Sequence, residues 1–390
     1  MVPWTFTDSA FATFNLREFE RLRCSERVLA DPSGWTDTFT VAATLVPEVA
    51  TPSREDLGRY YLDEGYVLGA RKESIVNLVC AWEDRTVSPD QVTLVHSVSE
   101  ASFLLLICLR ALGVRMIVFE TPCYAVTINQ AQHLGFRTIG IPTYRDDGFA
   151  LRFSREHDAP REPVALWLTQ PRMSLGINQS AEAVTSLLDL LGGHDFLVID
   201  EATERQFPSV LRNLPQDPRL VRIRGFVKGL GLNGVRLSFL LHNAGLREPL
   251  ELAHEVSGGS VDIFSLAFVA TLGKDPETFR ALCNAVDTQI ADLRAVAAAA
   301  TRGTNVTASD LVNGYIGSAF VTLGGPYEES RNALLTFCHE RGVPILCGAA
   351  MRFATDRSHE PVRLNYFNRP QHILDGLSAL VSFAGGSVEP

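Results

Sequence analysis

The sequence lacks any paired cysteine motif. Its seven cysteines are spread along the chain at positions 24, 80, 108, 123, 283, 338 and 347, and no two of them form a C-x-x-C pair. An odd, dispersed set is typical of reduced thiols in a cytosolic protein and argues against a disulfide framework. We therefore expect a cytoplasmic protein, and we predict no metal site.

Positive charge is also scarce. The chain carries 35 Lys and Arg against 45 Asp and Glu, so its formal net charge is -10. Nucleic acids and anionic membranes are bound by clustered basic side chains, so this balance argues against either as the main partner. A local binding site for one small anion is still compatible with this charge balance.

Long apolar runs are missing as well. The N-terminus has no basic start followed by an apolar stretch, so no signal peptide is expected. The most apolar stretch, residues 103–119, is interrupted by Arg110 and Arg115. It falls short of the ~20 apolar residues that a membrane-spanning helix needs. We therefore expect no membrane partner.

What is present is the pattern of a two-domain α/β protein. A chain of 390 residues usually holds more than one compact core. Short β-rich runs alternate with helical stretches in its middle part, which predicts a mostly parallel, seven-stranded sheet between helices. We predict an N-terminal segment (1–50) that packs on the small domain, a large domain (51–270), and a smaller α+β domain (271–390).

The expected elements follow from these runs. Strands of the large domain are expected at Val92–His96, Arg115–Glu120, Thr138–Ile141, Val164–Thr169, Phe196–Asp200, Leu220–Ile223 and Arg236–His242. Helices are expected between several of them, at Glu100–Ala111, Val126–Leu134 and Ser180–Leu191. The small domain should contain helices at Pro276–Thr301, Glu328–Arg341 and His372–Phe383, and strands at Tyr315–Thr322 and Val362–Tyr366.

A glycine-rich segment, RGFVKGLGLNGVRLSF at residues 224–239, permits two interpretations. Gly229, Gly231 and Gly234 spell the G-x-G-x-x-G pattern of dinucleotide-binding proteins. That pattern requires a helix after the glycines, whose N-terminus meets the pyrophosphate. The residues that follow here are β-like, so a nucleotide-dependent oxidoreductase is a weak alternative.

The second interpretation centres on Lys228. This lysine follows a predicted strand and stands eight residues before Arg236, which offers a planar fork to a phosphate. Asp200 lies 28 residues earlier, at the end of the apolar run FLVID. A carboxylate at the carboxyl end of a parallel strand lies where open α/β sheets bind ligands. Taken alone, Lys228 would be interpreted as a surface lysine before a loop, and Asp200 could equally be a helix-capping or sheet-edge aspartate.

Three further features lie in the same order along the chain. Tyr124 follows a predicted strand in ETPCYAV, and it would be an ordinary core tyrosine if it stood alone. HSVSEASF places Val98 and Ser99 at the start of a predicted helix, where backbone amides bind anions and where a capping box is also possible. VRLNYF places Arg363 on a strand of the small domain.

The order and spacing of these residues resemble the class I/II aminotransferases over roughly residues 60–370. The resemblance implies the aminotransferase fold and the cofactor pyridoxal 5'-phosphate (PLP), carried by Lys228 as a Schiff base. Asp200 would keep the pyridine nitrogen protonated, which makes the ring an electron sink. Tyr124 would stack on the ring.

The resemblance also implies the remaining contacts. The phosphate would be bound by Val98, Ser99 and Arg236, and the carboxylate of an amino-acid substrate by Arg363. Because the family builds its site across a dimer interface, we expect a homodimer. Tyr60 or Tyr61 would then reach the phosphate of the partner subunit.

The match departs from the family on the side of the ring oxygen O3'. Met173 stands where the family has an asparagine, and a thioether is at most a weak hydrogen-bond acceptor. Thr203 stands where the family has a tyrosine. Gln170, Arg172 or Thr203 could supply the O3' contact instead. Loss of the usual donors should make the Schiff base hold its proton more tightly.

On the phosphate side, Gly225 replaces a serine and Ser97 a glycine. The default function that the resemblance implies is amino transfer at Cα of an amino acid. The changed O3' side leaves open a specialised biosynthetic reaction: β- or γ-elimination, replacement, or C–C bond formation, with an S-adenosylmethionine-like compound among the substrates. A non-enzymatic sensor is the second alternative. Regulators of that kind usually carry a DNA-binding segment, and no basic helix-turn-helix precedes residue 60.

Overall fold

The computed structural model describes residues 9–25, 28–33, 69–155, 162–226, 228, 230, 232, 234–257, 261–308, 315–351 and 358–385. Tyr60 and Tyr61, the two candidates for a contact with a partner subunit, lie outside these ranges, as do Gly229 and Gly231. The described residues form two sheets with helices packed against them.

The larger sheet has seven strands. In chain order they are β1 Val92–Val95, β2 Met116–Thr121, β3 Arg137–Pro142, β4 Val164–Thr169, β5 Phe196–Glu201, β6 Leu220–Gly225 and β7 Ser238–Leu241. Their order across the sheet is β1-β7-β6-β5-β4-β2-β3. Strand β7 runs opposite to the other six strands of this sheet, which all point in one direction. The predicted mostly parallel sheet is confirmed.

Ten helices are present in the described residues: α1 Ser9–Arg23, α2 Gly69–Glu83, α3 Val98–Ala111, α4 Ala125–His133, α5 Ala181–Asp189, α6 Arg247–Ser257, α7 Ile263–Lys274, α8 Pro276–Thr301, α9 Tyr327–Glu340 and α10 Pro370–Gly385. Successive side chains of a strand point to opposite faces. Ile117 of β2 therefore packs in the cluster that contains α3 and α6, whereas Val118 packs in the cluster that contains α5. The sheet is buried between helical layers on both faces.

The smaller sheet is antiparallel and follows the long helix α8. It consists of β8 Val306–Ala308, β9 Ile316–Thr322 and β10 His359–Asn365, in the order β10-β9-β8. Helix α10 contacts β8 and β9, and α9 contacts α10. The smaller α+β part that the sequence predicts is confirmed.

The two sheets share one apolar cluster. It contains Leu94 and Phe239 of the larger sheet, Phe279 of α8, and Ala319 and Leu364 of the smaller sheet. The two parts are therefore packed directly against each other. The exact limits of the three predicted segments stay a prediction.

The described part of the N-terminal segment contacts the C-terminal part of the chain. The side-chain amide of Asn15 donates to the carbonyl oxygen of Ile345 at 3.1 Å. Phe19 of α1 packs with Leu346 and Ala350. These contacts hold α1 beside the smaller sheet.

Several elements were not predicted. Helices α1, α2, α6 and α7 and the short strand β8 are additions, and the last predicted strand of the large sheet is shorter than its apolar run. Most of α7 is buried, so it lacks the polar face by which amphipathic helices are recognised. After the glycine-rich segment the chain enters strand β7. The helix that a dinucleotide-binding motif requires is absent from residues 234–241, so that interpretation of the glycines is wrong.

Strand β6 carries charge into the core. Arg222 pairs with Glu201 through Nε and Oε2 at 2.6 Å, and it also pairs with Glu83. Arg224 donates to Glu83 at 3.1 Å and lies over the ring of Trp82. Because all four charged groups are buried, each must keep its partner for the fold to be stable.

No helix in the described ranges is long and apolar enough to cross a lipid bilayer.

Candidate active site

Asp200 lies at the carboxyl end of β5 and is 3% exposed. Its Oδ1 accepts a hydrogen bond from the N–H of Ala202 at 3.0 Å. Burial raises the pKa of this carboxyl group, although the charge of Lys228 and the N–H of Ala202 both lower it. A cation placed beside Asp200 would therefore stabilise its ionised form.

Lys228 follows β6 and is half-buried. Its Nζ lies 5.8 Å from the centroid of the Tyr124 ring. Burial lowers the pKa of Lys228; Asp200 raises it, and the charges of Arg363 and Arg236 lower it further. A lysine with a lowered pKa has a larger fraction of neutral, nucleophilic amine at neutral pH.

The N-terminus of α3 lies beside the lysine. A Cβ added to Gly225 would stand 3.5 Å from the Cβ of Lys228 and 3.6 Å from Cγ2 of Val98, which is the first residue of α3. Ser97 caps the helix, since its hydroxyl oxygen accepts from the N–H of Glu100 at 3.2 Å. The amides of a first helical turn have no partners inside the helix and are suited to bind an anion.

Ser99 and Tyr124 are linked through helix α4. The carbonyl oxygen of Ser99 accepts from the side-chain amide of Gln130 at 2.9 Å, which ties α3 to α4. Tyr124 directly precedes α4 and is half-buried. The fixed position of α4 therefore holds the Tyr124 ring beside Lys228.

Arg236 lies on the far side of the glycine-rich turn and is exposed in the single chain. Its N–H donates to the hydroxyl of Ser265 in α7 at 2.9 Å. The charge of Arg236 lowers the pKa of Lys228. Arg236 and Arg363 thus both act electrostatically on Lys228.

Arg363 comes from β10 of the smaller sheet and is buried. Its Nε and Nη2 donate to the carbonyl oxygen of Ser33 at 2.9 and 2.5 Å. Burial lowers the pKa of Arg363 to about 10, although Asp31 and Tyr315 raise it. The guanidinium is therefore still charged at neutral pH, and its orientation is set by the N-terminal segment.

Gln170 lies next to Asp200. Its backbone N–H donates to the carbonyl oxygen of Asp200 at 2.8 Å. Its side chain forms a pair of hydrogen bonds with the backbone of Gln179, at 3.0 and 3.3 Å. The Gln170 amide therefore has partners in the protein, and its role at O3' stays a prediction.

Arg172 is paired inside a buried polar cluster. Its Nε lies 2.6 Å from Oε1 of Glu120, and its Nη1 donates to the carbonyl oxygen of Phe149. Gln179 donates to both carboxylate oxygens of Glu120 at 3.1 and 3.0 Å. Burial raises the pKa of Glu120, and Arg172 and Gln179 oppose that shift. Met173 and Thr203 are both buried, and the role of Thr203 at O3' stays a prediction.

Sequence patterns did not single out Tyr315, Ser33 or Asp31. Tyr315 is fully buried, and burial raises the pKa of its hydroxyl while the charges of Arg205 and Arg363 lower it. Tyr315 also interacts electrostatically with Asp200. No local motif marks these residues, because they meet the site only through tertiary contacts.

Within the described residues, no group of three or more His, Cys, Asp and Glu side chains is placed to hold a metal ion.

Comparison with known proteins gives the family. The sequence model described as aminotransferase class I and II matches residues 72–310. The histidinol-phosphate aminotransferase of Deinococcus radiodurans is 26% identical over 171 residues, which is 43% of this chain and 47% of that protein. The enzyme of the same name from Sodalis glossinidius is 28% identical over 160 residues, 40% of this chain and 44% of that protein. The matched stretch spans about half the length of these curated relatives.

The fold agrees with this assignment. The crystal structure of an aspartate aminotransferase from Thermotoga maritima aligns with a TM-score of 0.73 and 15% sequence identity. The alignment covers 99% of this chain and 98% of the Thermotoga chain. The likeness in architecture therefore extends well beyond the segment in which the sequences can be matched.

Proposed function

Because this chain belongs to the class I and II aminotransferase family, we propose that it is a PLP-dependent enzyme that acts at Cα of an amino acid, with amino transfer as its reaction. The observation that carries the proposal is the position of Lys228. Its amine, whose pKa is lowered, lies beside the Tyr124 ring and within the electrostatic influence of the buried Asp200.

The residues of the site fit the cofactor. Burial raises the pKa of the Asp200 carboxyl, so a neighbouring positive charge would stabilise its ionised form. A protonated pyridine nitrogen would supply that charge. The first turn of α3 and the exposed Arg236 offer amides and a guanidinium to a phosphate. When bound, PLP supplies an electron sink that stabilises negative charge at the substrate Cα.

The protein groups then have separate tasks. Lys228 would hold the cofactor covalently, and its amine, when not engaged in that link, would move the Cα proton of the substrate. Arg363 binds the acidic group of the substrate with the part of its guanidinium that faces away from Ser33. Tyr124 holds the plane of the ring through stacking.

The residues expected near the ring oxygen O3' favour a second candidate reaction. The Gln170 side chain is hydrogen-bonded to Gln179, and Arg172 is paired with Glu120, so two of the three candidate O3' donors have protein partners. Weaker stabilisation of the ring oxygen would change how electrons are distributed after the Cα–H bond breaks. Elimination, replacement or C–C bond formation at the same site is therefore the alternative to amino transfer.

The low lysine content allows a sharp test of the cofactor link. The whole sequence contains three lysines: Lys72, Lys228 and Lys274. After borohydride reduction of the purified protein, peptide mass mapping should place the cofactor on Lys228. Lys228→Ala should be colourless, and Lys274→Ala, which changes an exposed lysine, should stay yellow and labelled. Labelling on another lysine, or no label at all, contradicts the proposal.

A second experiment separates the reactions. The holoenzyme is incubated with histidinol phosphate, the amino donor in the names of the matched relatives, and with a panel of amino acids, each with and without a keto-acid acceptor. Amino transfer requires the acceptor for turnover. Product formed without an acceptor would instead identify the elimination or replacement reactions.

A further inference from the structure

A polar cavity lies between the loop after β5 and helix α8, apart from the residues of the candidate active site. Its volume is about 320 Å³, and Glu204, Arg205 and Gln206 line it on the loop side. Asp287 and Arg294 line it on the side of α8. This volume is at the lower end of the range of small-molecule sites, so it suits a ligand of a few heavy atoms.

Arg205 is a buried wall of this cavity, only 5% exposed. Its Nε and Nη2 donate to Oδ1 of Asp287 at 3.1 and 2.5 Å. Its guanidinium also lies 5.2 Å from the centroid of the Tyr315 ring. Its Nη1 is buried and has no hydrogen-bond partner among the described residues. The Nη1 group of Arg205 therefore can still donate hydrogen bonds, although the rest of the guanidinium is fixed by Asp287.

Arg294 brings a second guanidinium to the same space. It lies two helical turns after Asp287 on α8, so the two side chains project from the same face of the helix. Burial lowers the pKa of Arg294, and the positive charge of Arg205 lowers it further. Its Nη1 is likewise buried and without a hydrogen-bond partner in the described part of the chain. Two cationic groups thus lie around the Asp287 carboxylate, which is already bonded to Arg205.

Glu204 completes the wall and is 2% exposed. Its Oε1 accepts from the N–H of Gln206 at 2.7 Å, and its Oε2 is buried with no hydrogen-bond partner in the described ranges. Burial raises the pKa of Glu204 to about 7, although the nearby charge of Arg224 lowers it. In its neutral form this carboxyl is a hydrogen-bond donor rather than a negative charge.

We propose that this cavity, between the loop after β5 and helix α8, binds a small oxyanion held between Arg205 and Arg294. A carboxylate or an inorganic oxyanion has the acceptor oxygens that the unused guanidinium N–H groups require. The site is separate from the expected substrate site, because Arg363 lies elsewhere and is held by Ser33.

Calorimetric titration of the holoenzyme with sulfate tests the site. Arg294→Gln should weaken sulfate binding by about tenfold or more, since it removes a charge-assisted hydrogen bond. Arg302→Gln removes the same charge from an exposed residue just after α8 and should bind like the wild type. Equal sulfate affinity in the wild type and Arg294→Gln would overturn the proposal. Malonate, titrated in parallel, shows whether the site prefers a carboxylate to an inorganic anion.

A third variant separates this site from the substrate site. Arg363→Gln should keep the sulfate affinity that Arg294→Gln loses. Loss of sulfate binding in Arg363→Gln together with normal binding in Arg294→Gln would mean that the anion binds only at the substrate site, and the proposal would be wrong. This outcome does not depend on whether Lys228 carries a cofactor.

The pH dependence gives an independent readout. The charges of Glu201, Arg205 and Arg224 act on Glu204. Asp287 and Arg294 line the opposite side of the cavity. Sulfate keeps its charge while Glu204 ionises, so wild-type affinity should fall as the pH rises through about 7. Glu204→Gln keeps a donor at every pH and should remove most of this fall. An unchanged pH profile in Glu204→Gln would count against the role of Glu204 in the cavity.

Discussion

Arg363 and Ser33 are joined twice across 330 residues of sequence. The guanidinium of Arg363 donates to the carbonyl oxygen of Ser33, and the hydroxyl of Ser33 donates to the carbonyl oxygen of Arg363 at 2.6 Å. The N-terminal segment thus fixes both the backbone and the side chain of the arginine that we expect to meet the substrate. The orientation of that arginine is settled before any ligand arrives.

Arg363→Lys should therefore damage substrate binding without loss of the cofactor. A lysine has a point charge and no planar fork, so it cannot hold the Ser33 carbonyl and a substrate acid in the same geometry. We expect KM for the amino donor to rise by about tenfold or more, with visible absorbance unchanged. Steady-state kinetics measures this, with Arg302→Lys as the exposed control. An unchanged KM would remove Arg363 from the substrate site.

Tyr124 should act through its ring, not through its hydroxyl. Ring stacking contributes about 0.5–1.5 kcal/mol beyond the buried area, so Tyr124→Leu should release PLP about three to ten times faster than the wild type. Tyr124→Phe keeps the ring and should release it at nearly the wild-type rate. Rates of loss of visible absorbance on dilution compare the three proteins. Faster release from the phenylalanine variant would point to the hydroxyl instead.

Glu120 and Arg172 should be strongly coupled in stability. Removing one partner of a buried ion pair leaves the other charge uncompensated, at a cost of about 3–5 kcal/mol. Glu120→Leu and Arg172→Met should each lower the free energy of unfolding by an amount of this order. The double variant should lose clearly less than the sum of the two. Denaturant unfolding of all four proteins gives the coupling energy, and strict additivity would show that the pair is not coupled.

Glu360 should make stability depend on pH. Tyr327 donates to its Oε2 at 2.6 Å, the N–H of Gly348 donates to its Oε1 at 2.7 Å, and burial raises its pKa to about 7. Because the folded pKa is above the unfolded value, the contribution of Glu360 is full below pH 4.5 and is lost as the pH rises to about 7. The free energy of unfolding should fall over this window by up to about 3 kcal/mol.

Glu360→Gln isolates this effect, because an amide does not titrate. The difference in unfolding free energy between the wild type and this variant should shrink or change sign between about pH 5 and about pH 8. Urea unfolding at the two pH values measures it. A difference that is the same at both would show that Glu360 does not change its protonation state there.

The sequence predicted the larger sheet because its strands are continuous apolar runs, as in FLVID before Asp200. Strands that are buried on both faces are continuous apolar runs, which can be recognised directly in the sequence. Helix α2 has no such recognisable pattern. Its sequence, GARKESIVNLVCAWE, has apolar residues on several sides, and it packs against α7, which is itself largely buried.

The candidate active site likewise contains residues that a sequence pattern marks and residues that no pattern marks. Asp200, Lys228 and Tyr124 could be named because each lies at or just after the end of a recognisable strand, and the three stand in a characteristic order. The pairing of Arg172 with Glu120 could not be predicted, since the two residues lie on different strand ends, and nothing local in the sequence relates them. The same holds for Arg205, whose partner Asp287 is 82 positions away.

The apolar cluster shared by the two sheets also limits how the chain can be divided. Leu94 and Phe239 pack in one continuous apolar interior with Ala319 and Leu364, so the two parts share this interior. A fragment that ended before α8 would present the unmatched half of that interior to water. We expect such a fragment to aggregate, and we expect chimeras with related enzymes to fold only when both halves of the interior come from the same parent.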